Sequence, residues 1–150
     1  GHDPLYDSVV ILEALDILAP TPTLIPTAPW ERMAALRLQA LADGMADVLI
    51  PAVYERRRKA ELQDPGVILK AEGKLHHCLA HLQVALDGRT YAVGSEFTVA
   101  DVALVSVLEY IALRSPALLE GHGAVTRYVA AHRTRPSVAA TAIPASTPSH

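Results

Sequence analysis

Apolar residues recur along the chain at spacings of three and four, the repeat of one helix face, and they are densest just after Phe97-Thr98-Val99-Ala100-Asp101. Thr98 and Asp101 stand at the separation of a reciprocal helix cap. In such a cap the Thr98 hydroxyl accepts from the Asp101 backbone N–H, and the Asp101 carboxylate accepts from the Thr98 N–H. The acid also meets the positive end of the helix dipole. Phe97 and Val102 are placed to close a hydrophobic staple across the cap. From Val102 to Leu113 only Ser106, Glu109 and the Tyr110 hydroxyl break the apolar run. A helix apolar all round is a buried one, and this one is too short and interrupted to span a bilayer. The pattern predicts an all-α helical bundle around a buried central helix over 98–114, with Thr98 and Asp101 as its structural cap.

The other segments arrange themselves around that helix. Residues 7–18 read as a short helix capped by Asp7 or Ser8, with Val10, Ile11, Ala14, Leu15 and Leu18 on its apolar side. Pro20 to Pro29 holds four prolines in ten residues, which excludes a regular helix and marks a semi-rigid linker. The first 19 residues are therefore expected to belong to a different unit from residues 30–142. From Trp30 to about Leu62 a long helical pattern follows, its seam running through Ala34, Leu38, Leu41, Met45, Val48 and Ala52. Pro51 lies inside it and predicts a kink or break. Asp64-Pro65 and Asp87-Gly88 bracket a further helix whose seam is Ile68, Ala71, Leu75, Leu79, Leu82 and Leu86. Residues 88–96 and the stretch from Ser115 are connectors. A helix over about 124–133 and a short turn after Arg135-Pro136 complete the domain, and 143–150 is expected to be a flexible tail.

Composition narrows the class. Hydrophobic residues make up 51% and charged residues 19%, enough apolar surface for a core and too little charge for extended disorder. A net charge of -3 and a pI near 6.2 offer nucleic acid and anionic membranes no general attraction. A lone cysteine, Cys78, rules out an internal disulfide and fits a reducing compartment, so a cytoplasmic location is expected. The chain opens Gly1-His2-Asp3-Pro4 with no initiator methionine, and the apolar segment 9–18, lacking a basic leader and a small-residue cleavage pattern, is not expected to be a signal peptide.

Few residues carry a chemical signal. His77 and His81, four apart beside His76 and Cys78, share a helix face, yet spacing supplies no third ligand, and they read as surface histidines without a metal. The run Arg56-Arg57-Arg58-Lys59 spans more than a helical turn and cannot all face one ligand. It reads as a solvated helix end, with one arginine beside Tyr54 left as a possible wall of an anion pocket. Asp7 and Ser8 have two readings. They cap a helix, or they hold the amino-acid end of a zwitterion, the helix N-terminus and hydroxyl meeting its carboxylate and Asp7 meeting its ammonium.

Taken in order, Leu5-Tyr6-Asp7-Ser8-Val9-Val10-Ile11, the proline-rich linker, Ala40-Leu41-Ala42-Asp43-Gly44, Gly94 through Phe97-Thr98-Val99-Ala100-Asp101-Val102-Ala103, and Arg135-Pro136-Ser137-Val138 resemble the cytosolic glutathione S-transferase family, bacterial members above all. The resemblance implies a thioredoxin-like domain that binds glutathione, followed by an all-α domain that shapes the pocket for a small hydrophobic electrophile. It assigns residues 1–19 to the last helix of the first domain and matches Asp7 and Ser8 to the residues that hold the γ-glutamyl end of glutathione. By the same analogy Tyr54, Arg57, Ser106 and Tyr110 are candidates for the substrate pocket. The family's catalytic Ser, Cys or Tyr and the proline that positions the glutathione backbone match nothing in this sequence, so the chain alone is expected to be an inactive, truncated form. The alternative is a non-enzymatic helical protein-interaction module. Apolar surface left on helix 7–18 predicts a homodimer or swapped oligomer.

Overall fold

The structure, a computed structural model, describes residues 3–19 and 23–143. Among these the regular secondary structure is entirely helical: α1 (Ser8–Leu18), α2 (Pro29–Arg57), α3 (Pro65–Ala85), α4 (Val99–Arg114), α5 (Gly123–His132) and α6 (Pro136–Ala140), with single 3-10 turns at Ala60–Leu62 and Pro116–Leu119. The expected all-α bundle is present. The tail, apart from Ile143, and linker residues 20–22 lie outside the described residues.

Local chemistry sets most helix ends. Pro29 starts α2 where its missing N–H costs nothing, Glu31 sits in the first turn, and Arg56 and Arg57 oppose the dipole in the last. Asp64 accepts from Gly66 N–H at 2.8 Å, with Pro65 as the first residue of α3. Gly88, with φ of +69°, turns the chain after α3.

Two expectations about α2 are corrected. The helix stops at Arg57 and a 3-10 turn carries the chain to Leu62, because the charged run beyond Tyr54 has no apolar stripe to pack. The break expected at Pro51 is absent: α2 continues through it. Pro51 and Asp47, whose carbonyl the proline leaves without its helical donor, both lie on the exposed side, where solvent can replace that bond. The seam is also rotated by one residue in places, since Ala35, Ala42 and Leu49 are buried where Ala34, Leu41 and Val48 are only partly covered.

The core forms where α4 lies against α2 and α5 packs on α3 and α4. Met45 and Leu49 from α2, Leu75, Leu79 and Leu82 from α3, Leu104, Leu108 and Ile111 from α4, and Val125 from α5 are all essentially inaccessible. The linker does not simply trail into this body. Ile25 plugs into the core at 4% exposure, and the Leu24 carbonyl accepts from Val99 N–H at 2.9 Å, serving the first turn of α4.

Asp101 does more than the sequence pattern assigns to it. The capping box is formed, and Oδ2 accepts from the Thr98 N–H at 2.8 Å and from the Thr98 hydroxyl at 3.0 Å. Oδ1 accepts from Ala92 N–H at 2.8 Å and from the Tyr128 hydroxyl at 2.5 Å. The carboxylate is 0% exposed, so these four donors supply the solvation that water would give. Burial above all, then the Asp101 charge and its hydrogen bond, push the Tyr128 hydroxyl well above its usual range, which keeps it a donor. His132 Nε2 donates to the Thr90 carbonyl at 2.9 Å, and its ring stands edge-on to Tyr128 and Phe97. One buried carboxylate thus ties the connector 88–96, the start of α4 and α5 together.

Asp101→Ala is expected to destabilise the chain by about 3 kcal/mol or more, because it strands several buried donors at once. Tyr128→Phe is expected to cost about 1–2 kcal/mol. The two losses should be less than additive in urea unfolding; full additivity would mean that Tyr128 and Asp101 act independently.

Candidate functional site

The start of α1 is held in place by polar contacts to the helical body. Asp16, two turns along α1, accepts from the backbone N–H groups of Leu24 and Ile25. Glu13 pairs with Arg32 of α2 at 3.0 Å, and Leu12 packs onto the core. Apolar anchoring is slight, since α1 has no fully buried residue. Leu5, Tyr6, Leu15, Ile17 and Leu18 remain exposed, as do Trp30 and Met33 at the start of α2.

At the N-terminal end of α1, Asp7 is the cap, its Oδ1 accepting from Val9 N–H at 3.2 Å. Ser8 is the first helical residue and is exposed. Its neighbourhood is acidic in a way the pattern did not signal. Asp43 of α2 has its carboxyl raised above the ordinary range, first by burial and then by the charges of Asp7 and Asp47. The Asp7 charge, from the start of α1, is thus a lesser cause than burial in raising the Asp43 carboxyl. The spacing of Asp43 and Asp47, one helical turn apart, was the only sequence signal for it.

Of the four residues matched to the substrate pocket, Tyr54 and Arg57 meet near the end of α2, and Ser106 and Tyr110 lie on α4. Tyr54 is exposed with the Arg57 guanidinium 5.5 Å from its ring centroid. Ser106 lines a cleft of about 320 Å³ between α4 and α6, together with Phe97, Val102, Glu109, Val138 and Thr141. The predicted staple residues, Phe97 and Val102, both line this cleft, where the Arg135 guanidinium also covers the Phe97 ring at 4.0 Å. A second hollow of about 480 Å³ shares Glu109, Val138 and Ile143 with it, and Glu109 is paired to Arg133 at 3.0 Å. Tyr110 is half-buried beneath the Arg114 guanidinium, 5.6 Å from its ring centroid.

His76, His77 and His81 are exposed on α3. His77 Nδ1 lies 2.7 Å from the Gly73 carbonyl of its own helix. Among the described residues no three His, Cys, Asp or Glu side chains gather as metal ligands. None of the helices described is long and apolar enough to cross a membrane.

Comparison with known proteins agrees with this architecture. Residues 41–136 match the family model for the glutathione S-transferase C-terminal domain. The chain is 27% identical over 109 residues to the uncharacterised GST-like protein YibF of Escherichia coli K12, covering 73% of this chain and 54% of that protein. It thus spans about half the length of that relative. Among solved structures, the glutathione S-transferase of Methylobacillus flagellatus KT with glutathione bound is 36% identical with a TM-score of 0.86, over 93% of this chain and 70% of the other. The Methylobacterium radiotolerans glutathione S-transferase, in complex with glutathione sulfonate, is 29% identical with a TM-score of 0.87, over 97% and 70% of the two chains. The match covers the capped central helix and most of the core around it, and on that ground this chain belongs to the glutathione S-transferase family, through the family's C-terminal helical domain.

Proposed function

We propose that this protein is a glutathione transferase-like enzyme component whose α1 start receives the γ-glutamyl end of glutathione. The observation that carries the reading is the charge arrangement there. The free N–H groups of a helix start and the exposed Ser8 hydroxyl suit a carboxylate, and the Asp7 carboxylate suits an ammonium. An α-amino-acid end presents both charges on one carbon. Two similar structures carry glutathione or glutathione sulfonate, which supports this choice of zwitterion.

In this reading residues 1–19 form the last helix of a thioredoxin-like unit, 20–29 are its linker, and 30–142 are the helical domain. That unit supplies the group that activates the glutathione thiol. A neighbouring donor or helix dipole lowers the thiol pKa from about 8.5, and the thiolate attacks a small electrophile whose leaving group departs. The residues of this chain bind and orient; none is assigned the chemical step. The apolar cleft at Ser106 is the natural place to seek the electrophile, and a cytoplasmic location goes with the thiol chemistry.

A second reading, a non-enzymatic interaction module, draws on the exposed apolar face formed by Leu5, Tyr6, Ile17, Leu18 and Trp30. It and the first reading share one consequence, self-association. Light scattering should find the 150-residue chain as a dimer or larger, and replacing Ile17 and Leu18 by Ser should shift it toward monomer. A monomer at high concentration would contradict this.

For the glutathione reading, the test is calorimetry on the protein carrying a thioredoxin-like unit ahead of residue 1. Asp7→Ala with Ser8→Ala should weaken glutathione binding by about ten-fold or more, and unchanged affinity would overturn the assignment. Asp43 gives a pH test with a definite sign. Its carboxyl holds a proton more tightly when folded, so without ligand the stability of the chain should fall as pH rises from about 4 through the raised value. Asp43→Asn should remove that fall, becoming the more stable protein at neutral pH while converging with the parent in acid. Parallel pH profiles in chemical denaturation would show that the Asp43 carboxyl is not raised on folding.

A further inference from the structure

The basic run at the end of α2 contributes one residue to a third cleft. This cleft of about 370 Å³ lies where the C-terminal ends of α2 and α4 meet α3, and is walled by Arg56, Glu72, His76, Arg114 and Ser115 over an apolar floor of Pro116, Ala117 and Leu118. Arg57 and Arg58 face elsewhere, toward Tyr54 and Glu55.

The hydrogen-bonding groups in this cleft do not balance. Arg56 is committed: one terminal nitrogen donates to Glu72 Oε1 at 2.5 Å and the other to Ser115 Oγ at 3.0 Å. Because Ser115 Oγ accepts there, its own O–H remains to be donated, and Ser115 is buried. Arg114 Nε is buried and has no partner among the described residues. Two buried donors thus lack acceptors, with the His76 ring beside them. A buried donor without a partner is costly, so the complement of this cleft is a molecule rich in acceptors. Charge selects further. Arg56 and Arg114 bring two positive charges to its walls and Glu72 one negative charge. That balance suits a monoanion, while a dianion would meet Glu72 without compensation.

We propose that this cleft is a binding site for a small apolar monocarboxylate. Its carboxylate accepts from the Arg114 Nε–H and the Ser115 hydroxyl, and its apolar body lies on Pro116, Ala117 and Leu118. The site shares no residue with the start of α1.

Benzoate is the probe, titrated into the 15N-labelled chain, with neutral benzamide as the control of equal shape. Benzoate should move the Arg114 Nε–H and Ser115 amide signals along a saturating curve, and benzamide should not. Arg114→Gln should weaken benzoate binding at least about ten-fold, and Ser115→Ala should weaken it less. Should Arg114→Gln fail to fold, Ser115→Ala and the Arg114 Nε–H signal of the parent chain decide. Unsaturated shifts, equal binding of benzamide, or benzoate affinity indifferent to the variants that fold would overturn the proposal and leave Arg114 as a partner of the α4 dipole end alone.

Discussion

A single carboxylate without access to water organises the helical domain. An ionised group inside a protein is tolerated only where fixed donors replace its hydration, and Asp101 obtains its donors from a cap residue, a connector amide and a tyrosine on another helix. Each of these segments is thereby held in register with the others. The apolar contacts of α4 supply the bulk of the burial, but they are forgiving in direction. The carboxylate is not, because its donors must converge within hydrogen-bonding distance. Packing makes this core compact, and Asp101 makes its arrangement of α4, α5 and the 88–96 connector specific.

That division explains what could be read from the sequence. The Thr98–Asp101 spacing and the apolar run after it located the central helix, because caps and amphipathic periods are local. The seam of α3 was legible for the same reason, with Ala71, Leu75, Leu79, Leu82 and Leu86 all buried. The partners of Asp101 were not legible. Tyr128 and His132 lie far along the chain, and nothing in their local pattern distinguishes a tyrosine that reaches a buried acid from one that fills space. The break expected at Pro51 is absent, because exposure there relieves the lost hydrogen bond that would be costly inside a core.

The candidate sites divide similarly. Asp7 and Ser8 stood out because a capped helix start is a short-range signature, whereas the Asp7 charge acting on Asp43 comes from outside α2 and leaves no local pattern. Tyr54, Arg57, Ser106 and Tyr110 were matched by helix face, and helix faces alone do not fix convergence. Arg57 is spent on Tyr54 at the surface, while Arg56, one position earlier, is turned inward to Glu72 and Ser115. A rotation of about 100° per residue separates these two fates.

The bond from Val99 N–H to the Leu24 carbonyl also bears on where one structural unit ends. By composition the boundary is the proline-rich stretch, and the helical domain would begin at Trp30. Physically it begins earlier, since Leu24 supplies an acceptor to the first turn of the central helix and Ile25 fills part of the core. A cut placed at residue 30 would remove a piece of the domain's interior along with its linker. Because Asp16 of α1 holds the amides of these same two residues, α1 is joined to the start of α4 through hydrogen bonds at Leu24. The segment that reads as a spacer is a mechanical joint, with α1 on one side and the buried helix on the other.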